Sequence, residues 1–477
     1  MRALASLFAI AGQQAAQQQQ RLFSSTAAAM VRTPWDPKQT PYPATRRDEA
    51  YVETFKSATR GEVKVPDPYH WLSTPPSQSE ETRAFVEKQG AFTDAYLSQY
   101  GDRDRFKAAL KQTWNYPRFS CPALKEDGNY YFSYNSGLDP QPALYRFKKE
   151  DADKARHENP GGELFFDPGL LSKDGSVSRS SSAFSPTGEH FAYALSRSGS
   201  DWVTIRVRPT SAPHRRDQEV GSDEGRLGEE LRYVKFSGIG WTKDGKGFFY
   251  QRFPARAEHG ESEEDKAGTE TDRVLNAAIY YHRVGTSQED DVFIYKNEQE
   301  PEWLYSIDPT EDGRFLVFTA SRDTARSNLL WIADLQETEI GPNLKWKRVI
   351  NEWGSYWGDI ANDGTLFYFY TSADDALNYK IVTYDLSKPD EGFKELIAHD
   401  DKALLSSVHV SDKNKLWLLY SVDVKDELYL HDLQSGKRIK RVGADLVGTI
   451  EQISGRREDP EMFFSMYVRR ESKLWMR

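Results

Sequence analysis

The chain has 477 residues, of which 38% are hydrophobic and 29% charged, so it is long enough for two or three domains that each bury a core. Its net charge of −10 is spread along the chain, which argues against a nucleic-acid-binding protein, because that function needs a concentrated basic face. A single cysteine, Cys121, excludes an intramolecular disulfide, and no apolar run is long enough for a membrane-spanning helix.

Residues 1–30 form a compositionally distinct N-terminal segment. The segment contains two arginines and no acidic residue, with a glutamine-rich run from 13 to 20 and an end rich in alanine and serine. This composition is compatible with a transit peptide, which would direct the protein to mitochondria instead of the cytoplasm. A disordered extension, or untranslated sequence upstream of a start at Met30, explains the same composition.

The segment 31–115 follows, with prolines near its start and two helical patterns after them. Apolar side chains recur at helical spacing around Phe85 and Phe92, and again around Phe106 and Leu110. This spacing predicts two amphipathic helices, each with one face that packs against another part of the protein.

From about Tyr116 the pattern changes to that of strands, and one unit recurs along the chain. Each unit begins with a tight turn, and the seven turns are Asp127-Gly128, Thr187-Gly188, Asp244-Gly245, Asp312-Gly313, Asp363-Gly364, Lys413-Asn414 and Asp459-Pro460. The strands predicted after these turns are Tyr130–Phe132, Phe191–Tyr193, Phe248–Tyr250, Phe315–Val317, Leu366–Tyr368, Leu416–Leu418 and Met462–Phe464. The second predicted strands are Ala143–Tyr145, Val203–Ile205, Ala278–Tyr280, Leu329–Trp331, Lys380–Val382 and Glu427–Tyr429.

The repeat predicts the fold class. Asp-Gly and related dipeptides form tight turns between antiparallel strands, and units of roughly 46 to 68 residues match one four-stranded propeller blade each. The sequence therefore predicts a mainly β protein, with a seven-bladed β-propeller over 116–468 whose seventh blade is incomplete, preceded by a short α-helical segment. A β-sandwich with accidental regularity is the alternative. An acidic insertion in the third unit, 256–273, is predicted to be a mobile, solvated loop.

Hydrolytic and metal chemistry leave sequence signals that this chain lacks. A Gly-x-Ser-x-Gly pentapeptide marks the nucleophile of α/β-hydrolases, and the nearest segment, 354–358, has its serine in the wrong place and is predicted to be a turn between blades. The nine histidines are scattered without the spacing of metal ligands, although ligands gathered from several blades stay an alternative. We therefore predict no catalytic residue, no metal and no cofactor in this chain.

Several ordered motifs resemble one family of serine peptidases. They are Tyr42-Pro43 with Arg46-Arg47-Asp48, Val65-Pro66-Asp67-Pro68-Tyr69-His70-Trp71-Leu72, Tyr116-Pro117-Arg118-Phe119-Ser120, Ser198-Gly199-Ser200-Asp201-Trp202-Val203-Thr204-Ile205, Val234-Lys235-Phe236-Ser237 and Trp241-Thr242-Lys243-Asp244-Gly245. From about Tyr42 to Ser465 the sequence resembles prolyl oligopeptidases, the serine peptidases that cleave after proline.

The resemblance implies a propeller that caps an α/β-hydrolase domain, with residues 31–115 packed on that domain. The family's catalytic Ser, Asp and His lie downstream of the propeller, whereas this chain has a basic tail, 469–477, where the family continues. We therefore expect the non-catalytic part of an endopeptidase that hydrolyses short peptides on the carboxyl side of proline, with the propeller gating access. We expect the chain to be inactive alone, and an incomplete gene model to explain its ending. A stand-alone propeller that serves as a protein-binding scaffold is the alternative, and a metal-dependent propeller enzyme is a third.

The resemblance also implies one site residue, Phe236, at a family position that lines the substrate cavity. An aromatic ring there can stack on a peptide side chain, and the alternative is that Phe236 belongs to a blade core. A cavity-lining cysteine of many members falls near Ile294 here, which departs from the pattern. The expected partners are short proline-containing peptides and the hydrolase domain, with no nucleic acid and no membrane. We expect a cytoplasmic protein that is a monomer when complete, and a poorly soluble isolated chain.

Overall fold

The computed structural model describes residues 35–76, 78–154, 161–254, 275–322, 324–468 and 471–476. The predictions made for residues 1–30 and for the acidic insertion 256–273 lie outside these residues. The chain divides between Leu110 and Lys111 into two compact units, which are described separately. Neither α-helix in the described ranges has the length and apolar character that crossing a membrane requires.

The first unit combines a β-hairpin with helices. Strands β1 (Val52–Ser57) and β2 (Gly61–Pro66) pair antiparallel, and helices α1 (Glu80–Leu97) and α2 (Arg103–Trp114) follow, with the last four residues of α2 beyond the boundary of this unit. Ser79 caps α1, since its side chain accepts a hydrogen bond from the backbone N–H of Thr82. The two predicted helices are confirmed, whereas the hairpin was not predicted. Among the described residues, 3-10 helices span His70–Ser73, Lys149–Lys154, Pro168–Leu171, Gln288–Asp290 and Pro389–Glu391.

In its described residues, the second unit contains six antiparallel sheets of four or more strands, here called blades 1 to 6. Blade 1 is β3 (Arg118–Phe119), β4 (Ala123–Leu124), β5 (Asn129–Asn135), β6 (Ala143–Lys148) and β7 (Glu163–Phe166). Blade 2 is β8 (Val177–Phe184), β9 (His190–Arg197), β10 (Trp202–Pro209) and β11 (Glu230–Lys235). Blade 3 is β12 (Gly240–Trp241), β13 (Gly247–Arg252), β14 (Ala278–Arg283) and β15 (Val292–Tyr295).

The remaining blades follow the same order of strands. Blade 4 is β16 (Trp303–Pro309), β17 (Phe315–Arg322), β18 (Asn328–Asp334) and β19 (Trp346–Ile350). Blade 5 is β20 (Trp357–Asp363), β21 (Leu366–Thr371), β22 (Lys380–Asp385) and β23 (Lys394–Ile397). Blade 6 is β24 (Leu404–Ser411), β25 (Lys415–Val422), β26 (Lys425–Asp432) and β27 (Arg438–Val442).

The prediction of a seven-bladed propeller is wrong for the described residues, because only six sheets reach four strands. The last strands, β28 (Gly448–Ser454), β29 (Phe463–Val468) and β30 (Glu471–Met476), form a three-stranded sheet, here called the closing sheet. The predicted count rested on tight turns, and a tight turn reports one hairpin, not a complete blade. Both sets of predicted strands are confirmed, because they coincide with the middle strands of the blades and with β29.

The core of the second unit lies between sheets. Each pair of consecutive sheets encloses its own cluster of buried apolar side chains, from blades 1 and 2 through to blade 6 and the closing sheet. A last cluster joins Phe463 of the closing sheet to Leu124 and Tyr130 of blade 1. The sheets therefore form a closed ring, and their innermost strands surround a central channel.

The ring closes through a seam between the closing sheet and blade 1, which share no strand. The Cys121 N–H donates to Oε1 of Gln452 at 2.8 Å, and the Tyr130 hydroxyl donates to Glu461 at 2.6 Å. Cys121 is 5% exposed, and burial raises the pKa of its thiol to about 11. The sole cysteine thus has a structural place in the seam and the high thiol pKa of an unreactive side chain.

Candidate functional site

The two ends of the ring differ in which connections they carry. Because the strands of each blade are antiparallel, the turn between its first and second strands lies at one end, here called the turn end. The connection between the second and third strands lies at the opposite end, together with the connection into the next sheet. This second end is here called the loop end.

Neighbouring turns contact one another around the turn end. Gly188 has a φ of +74°, and a Cβ there would lie 2.5 Å from the backbone nitrogen of Asp127 in the adjacent turn. Gly245 is held as closely against Thr187, and Asn362 donates to the carboxylate of Asp312 at 2.9 Å. Only glycine fits the first two contacts, since they combine a left-handed backbone with no space for a side chain.

Two arginines of the closing sheet tie the turn end together. Nη1 of Arg457 donates to the Asn362 carbonyl of blade 5 at 2.7 Å, and its Nε donates to the Lys413 carbonyl of blade 6 at 3.0 Å. Arg457 also pairs with the Asp363 carboxylate, and the neighbouring Arg456 pairs with Glu126 of blade 1 at 2.7 Å. These bonds link the closing sheet to three blades.

The loop end is assembled by a repeated backbone contact. At three places, residues in or next to the connection between the second and third strands of a blade form a backbone hydrogen bond with residues in or next to the connection into the following sheet. The bonds run from Asn276 N–H to Pro301 O, from Asn328 N–H to Ser355 O, and from Leu405 N–H to Asn378 O, at 2.7, 3.3 and 3.1 Å. The segment 354–358, predicted to be a turn between blades, lies at one of these contacts: residues 354–356 connect β19 to β20, and the last two residues begin β20.

Phe236 lies at the loop end, in the connection from blade 2 to blade 3. Its side chain is 56% exposed, so it is not part of a blade core, and its φ of 52° places a bulky residue in the left-handed region. Such a conformation costs of order 1–3 kcal/mol and persists only where the surroundings enforce it. Ile294, near which the resemblance implies a cysteine in many family members, is buried between blades 3 and 4.

Gln251 is the side chain that enforces the conformation of Phe236. It is fully buried, and its Nε2 donates to the carbonyl oxygens of Lys235 and Phe236 at 3.0 and 3.4 Å. Its Oε1 accepts the Tyr305 N–H at 2.6 Å, and its own N–H donates to the hydroxyl of Ser237 at 2.8 Å. The connection that carries Phe236 is therefore anchored to blades 3 and 4.

The ammonium group of Lys235 lies against one face of the Phe236 ring. Nζ of Lys235 lies 4.9 Å from the centre of the Phe236 ring and 5.4 Å from that of Trp202. The same ammonium is 3.6 Å from the carboxylate of Asp201, and Lys235 itself is only 7% exposed. Cation–π contacts of this kind fix ring orientation and contribute about 0.5–2 kcal/mol. Asp201, Trp202, Lys235 and Phe236 are here called the Phe236 platform.

Other exposed apolar side chains share the loop end with Phe236. They occur in four connections and at the first residue of β24, and they are Leu138, Leu377, Val424, Val447 and Leu404, between 40% and 95% exposed. Val424 combines 95% exposure with a φ of 61°, which is rare for a β-branched residue. In the connections of the turn end, the comparable exposed side chains of the described chain are Val220 and Phe393. Apolar surface is thus concentrated at the loop end.

Two acidic side chains lie on innermost strands of adjacent blades, Asp308 on β16 and Asp359 on β20. Both are exposed to solvent, and their strands are the innermost strands of blades 4 and 5, which border the central channel. Burial within the ring raises the pKa of Asp308 to about 6, with a further contribution from Asp359, whose own pKa is also raised by burial. On β24, burial lowers the pKa of His409.

The His409 ring contacts a serine, which raises the question of a nucleophile. The hydroxyl of Ser407 and Nε2 of His409 are 2.8 Å apart. In the described ranges no carboxylate lies within 4.0 Å of the His409 ring to orient it, so the pair lacks the third member of a Ser-His-Asp arrangement. The buried pair His214–Asp223, at 3.1 Å, lies within the loop between β10 and β11, and the buried pair His282–Asp291, at 2.8 Å, links β14 to the segment that precedes β15.

Comparisons with known proteins point to one family. The family described as "Prolyl oligopeptidase, N-terminal beta-propeller domain" matches residues 43–467. Prolyl oligopeptidase A of Amanita bisporigera is 43% identical over 438 residues, which are 92% of this chain and 56% of the relative. The dual function macrocyclase-peptidase POPB of Galerina marginata is 38% identical, over 89% of this chain and 56% of its own length. The chain therefore spans little more than half of the relatives it matches.

Solved structures agree with the sequence comparison. The structure of prolyl oligopeptidase B from Galerina marginata bound to a 25mer macrocyclization substrate superposes with a TM-score of 0.78 at 38% identity, over 89% of this chain and 57% of that one. A second structure, of oligopeptidase B from Leishmania major, has a TM-score of 0.67 at 14% identity, which speaks to the fold alone.

Proposed function

The chain belongs to the prolyl oligopeptidase family, because the family's N-terminal propeller domain matches residues 43–467. On that premise we propose that the chain is part of a peptidase that hydrolyses short peptides on the carboxyl side of proline. The propeller is the non-catalytic part and controls which peptides reach the hydrolase domain. The observation that carries the proposal is the Phe236 platform, an exposed, strained aromatic ring held over a buried ammonium.

The platform suits the side chain of a bound peptide. Phe236 offers a flat apolar face, and Gln251 and Lys235 hold that face without being accessible themselves. A ring fixed before binding loses little conformational entropy when a peptide side chain stacks on it. The exposed apolar side chains of the loop end, such as Leu377 and Val424, then provide the surface for the hydrolase domain.

A chimera tests the proposal. Residues 43–467 replace the matching propeller of the Amanita bisporigera relative, and we expect hydrolysis of a Gly-Pro fluorogenic peptide, which the present chain alone should not hydrolyse. In the chimera, Phe236→Ala should raise KM for a longer peptide about 3-fold to 10-fold, since a stacked aromatic pair contributes about 0.5–1.5 kcal/mol.

The matched control is Phe293→Ala, another exposed phenylalanine, on the outer strand of blade 3. This substitution should leave KM unchanged. A folded chimera without hydrolysis contradicts the proposed function, whereas an equal KM in the Phe236 variant contradicts only the role of that ring.

Location and oligomeric state complete the proposal. We place the complete protein in the cytoplasm as a monomer. A single buried cysteine with a raised thiol pKa suits a reducing compartment, because it neither forms an intramolecular disulfide nor reacts readily. Fractionation of cells, with mitochondria as the alternative location, and light scattering of the purified complete protein test these two statements.

A further inference from the structure

Three side chains of the first unit bring one potential ligand atom each to a single point. Oxygen atoms of Glu53 and Asp67 and a ring nitrogen of His70 lie within 4.8 Å of one another, and all three residues are half-buried. Imidazole and carboxylate are ligand types that zinc and other divalent transition metals share.

The backbone of the hairpin holds the three residues together. Glu53 lies on β1, where it pairs with Val65 of β2, and Asp67 directly follows β2. The Asp67 N–H donates to the Tyr51 carbonyl at 3.2 Å, which extends the ladder by one step. The His70 N–H donates to the Asp67 carbonyl at 3.2 Å, so the imidazole begins the 3-10 helix right beside the hairpin.

The histidine ring is oriented by an aromatic neighbour. The His70 and Tyr51 rings are stacked, with centroids 3.7 Å apart and planes within 10°. This stacking directs Nδ1 of His70 towards Oδ2 of Asp67, at 3.7 Å. The other oxygen of Asp67, Oδ1, accepts the Tyr69 N–H at 3.1 Å, which leaves Oδ2 facing the imidazole.

Among the described residues, no lysine or arginine forms an ion pair with either carboxylate of this group. Within the part of the chain that the structure describes, the Glu53 carboxylate has no hydrogen-bond or ion-pair partner, and Asp67 pairs with His70 alone. Two neighbouring carboxylates repel each other, and a bound cation removes that repulsion.

We propose that Glu53, Asp67 and His70 form a binding site for a divalent transition metal, with Zn²⁺ the best fit. Three protein ligands leave a fourth tetrahedral position for water. Zinc bonds of about 2.0–2.2 Å place ligand atoms roughly 3.3 Å apart, so small side-chain rotations bring these atoms to bonding distance. The imidazole favours zinc over calcium or magnesium, which prefer oxygen ligands throughout. The proposal is independent of the peptidase function.

Metal binding to the full chain tests the site. The metal-free protein is titrated with ZnCl₂ by calorimetry, and with CoCl₂ by visible absorption, which reports tetrahedral coordination. We expect one ion per chain, bound more weakly at acidic pH, because protons compete with the metal for its ligands. His70→Ala and the isosteric Glu53→Gln should each weaken binding at least about 10-fold, because each removes a ligand.

His399→Ala is the matched control. Nδ1 of His399 lies 3.5 Å from Asp401, a similar His-carboxylate pair that belongs to no three-ligand group in the described residues. This variant should bind zinc as tightly as the parent chain. Absence of binding overturns the proposal, and so does binding that the His70 and Glu53 variants retain. Far-ultraviolet circular dichroism of the metal-free variants checks that each is folded.

Discussion

The turn end and the loop end of the propeller use opposite kinds of surface. At the turn end, charged and polar groups form bonds between neighbouring turns. Arg457, for example, donates hydrogen bonds to two blades besides its own sheet. At the loop end, apolar side chains such as Leu377 and Val424 face solvent, and Phe236 keeps a strained backbone. Polar groups of the turn end that bond to one another hold the ring together. Exposed apolar residues and strained backbone, by contrast, suit contact with another molecule. This contrast supports the proposed division of labour.

The largest expected effect tests how the loop end is anchored. Gln251→Leu removes the partners of the Tyr305 N–H and the Lys235 carbonyl, which are buried. Leaving two buried polar groups unsatisfied should lower the free energy of unfolding by about 3 kcal/mol. Urea unfolding followed by tryptophan fluorescence measures this. A loss below about 1 kcal/mol would show that the loop end is held by other contacts.

Arg457→Met should have the second largest effect, at the turn end. The variant loses the bonds to the Asn362 and Lys413 carbonyls and the pair with Asp363. We expect a loss of about 2 kcal/mol, because the arginine is mostly buried while Asp363 stays partly hydrated. Lys425→Met, which removes an exposed 3.8 Å pair with Asp423 at the loop end, should cost less than about 0.5 kcal/mol. Equal losses would erase the contrast between the two ends.

Val424→Gly is expected to stabilise the chain. The residue lies in a tight turn with a φ of 61°, where glycine is favoured and a β-branched side chain is strained. We expect a gain of about 1 kcal/mol in the free energy of unfolding, measured by thermal and urea unfolding. Val447→Gly, at an exposed loop-end valine without a positive φ, should give no gain. If both variants behave alike, strain at Val424 is not the cause.

The smallest effect concerns the channel between the two ends. The pKa of Asp308 in the folded chain, about 6, lies above the value of about 3.9 for an unfolded aspartate. The folded state therefore binds the proton more tightly, so this carboxyl favours folding below about pH 4 and loses that contribution as the pH rises through 6. Because channel water screens the charge, the change should not exceed about 1 kcal/mol. Asp308→Asn should flatten the unfolding free energy between pH 4 and pH 7, and an unchanged slope would contradict this.

The middle strands of the blades could be predicted, and the outer ones could not. β5 contains Tyr130, Tyr131 and Phe132, all buried because both faces of the blade are covered, and such runs of aromatic residues stand out in a sequence. The outer strand β27, Arg438–Val442, is largely exposed, so hydrophobic periodicity does not mark it. The number of complete blades depended on these outer strands, which explains the incorrect count.

Of the candidate site, the sequence predicted the residue but not its conformation. Phe236 was found through its motif, whereas its positive φ arises from Gln251, fifteen residues further along, which no local pattern connects to it. The ligand group of Glu53, Asp67 and His70 was missed for a related reason. Its spacing becomes meaningful only once β1 and β2 pair, and the hairpin itself was not predicted.

The seam between the closing sheet and blade 1 has a kinetic consequence. Every blade is formed by strands adjacent in sequence, so each can fold from local contacts. The bonds of the seam, from Cys121 to Gln452 and from Tyr130 to Glu461, join residues 331 positions apart. Contacts that close so long a loop form late, because the chain entropy must be lost before they contribute. Ring closure is therefore expected to be the final folding step, and the Cys121 amide, which lies in the seam, is the hydrogen-exchange probe that should report its reopening.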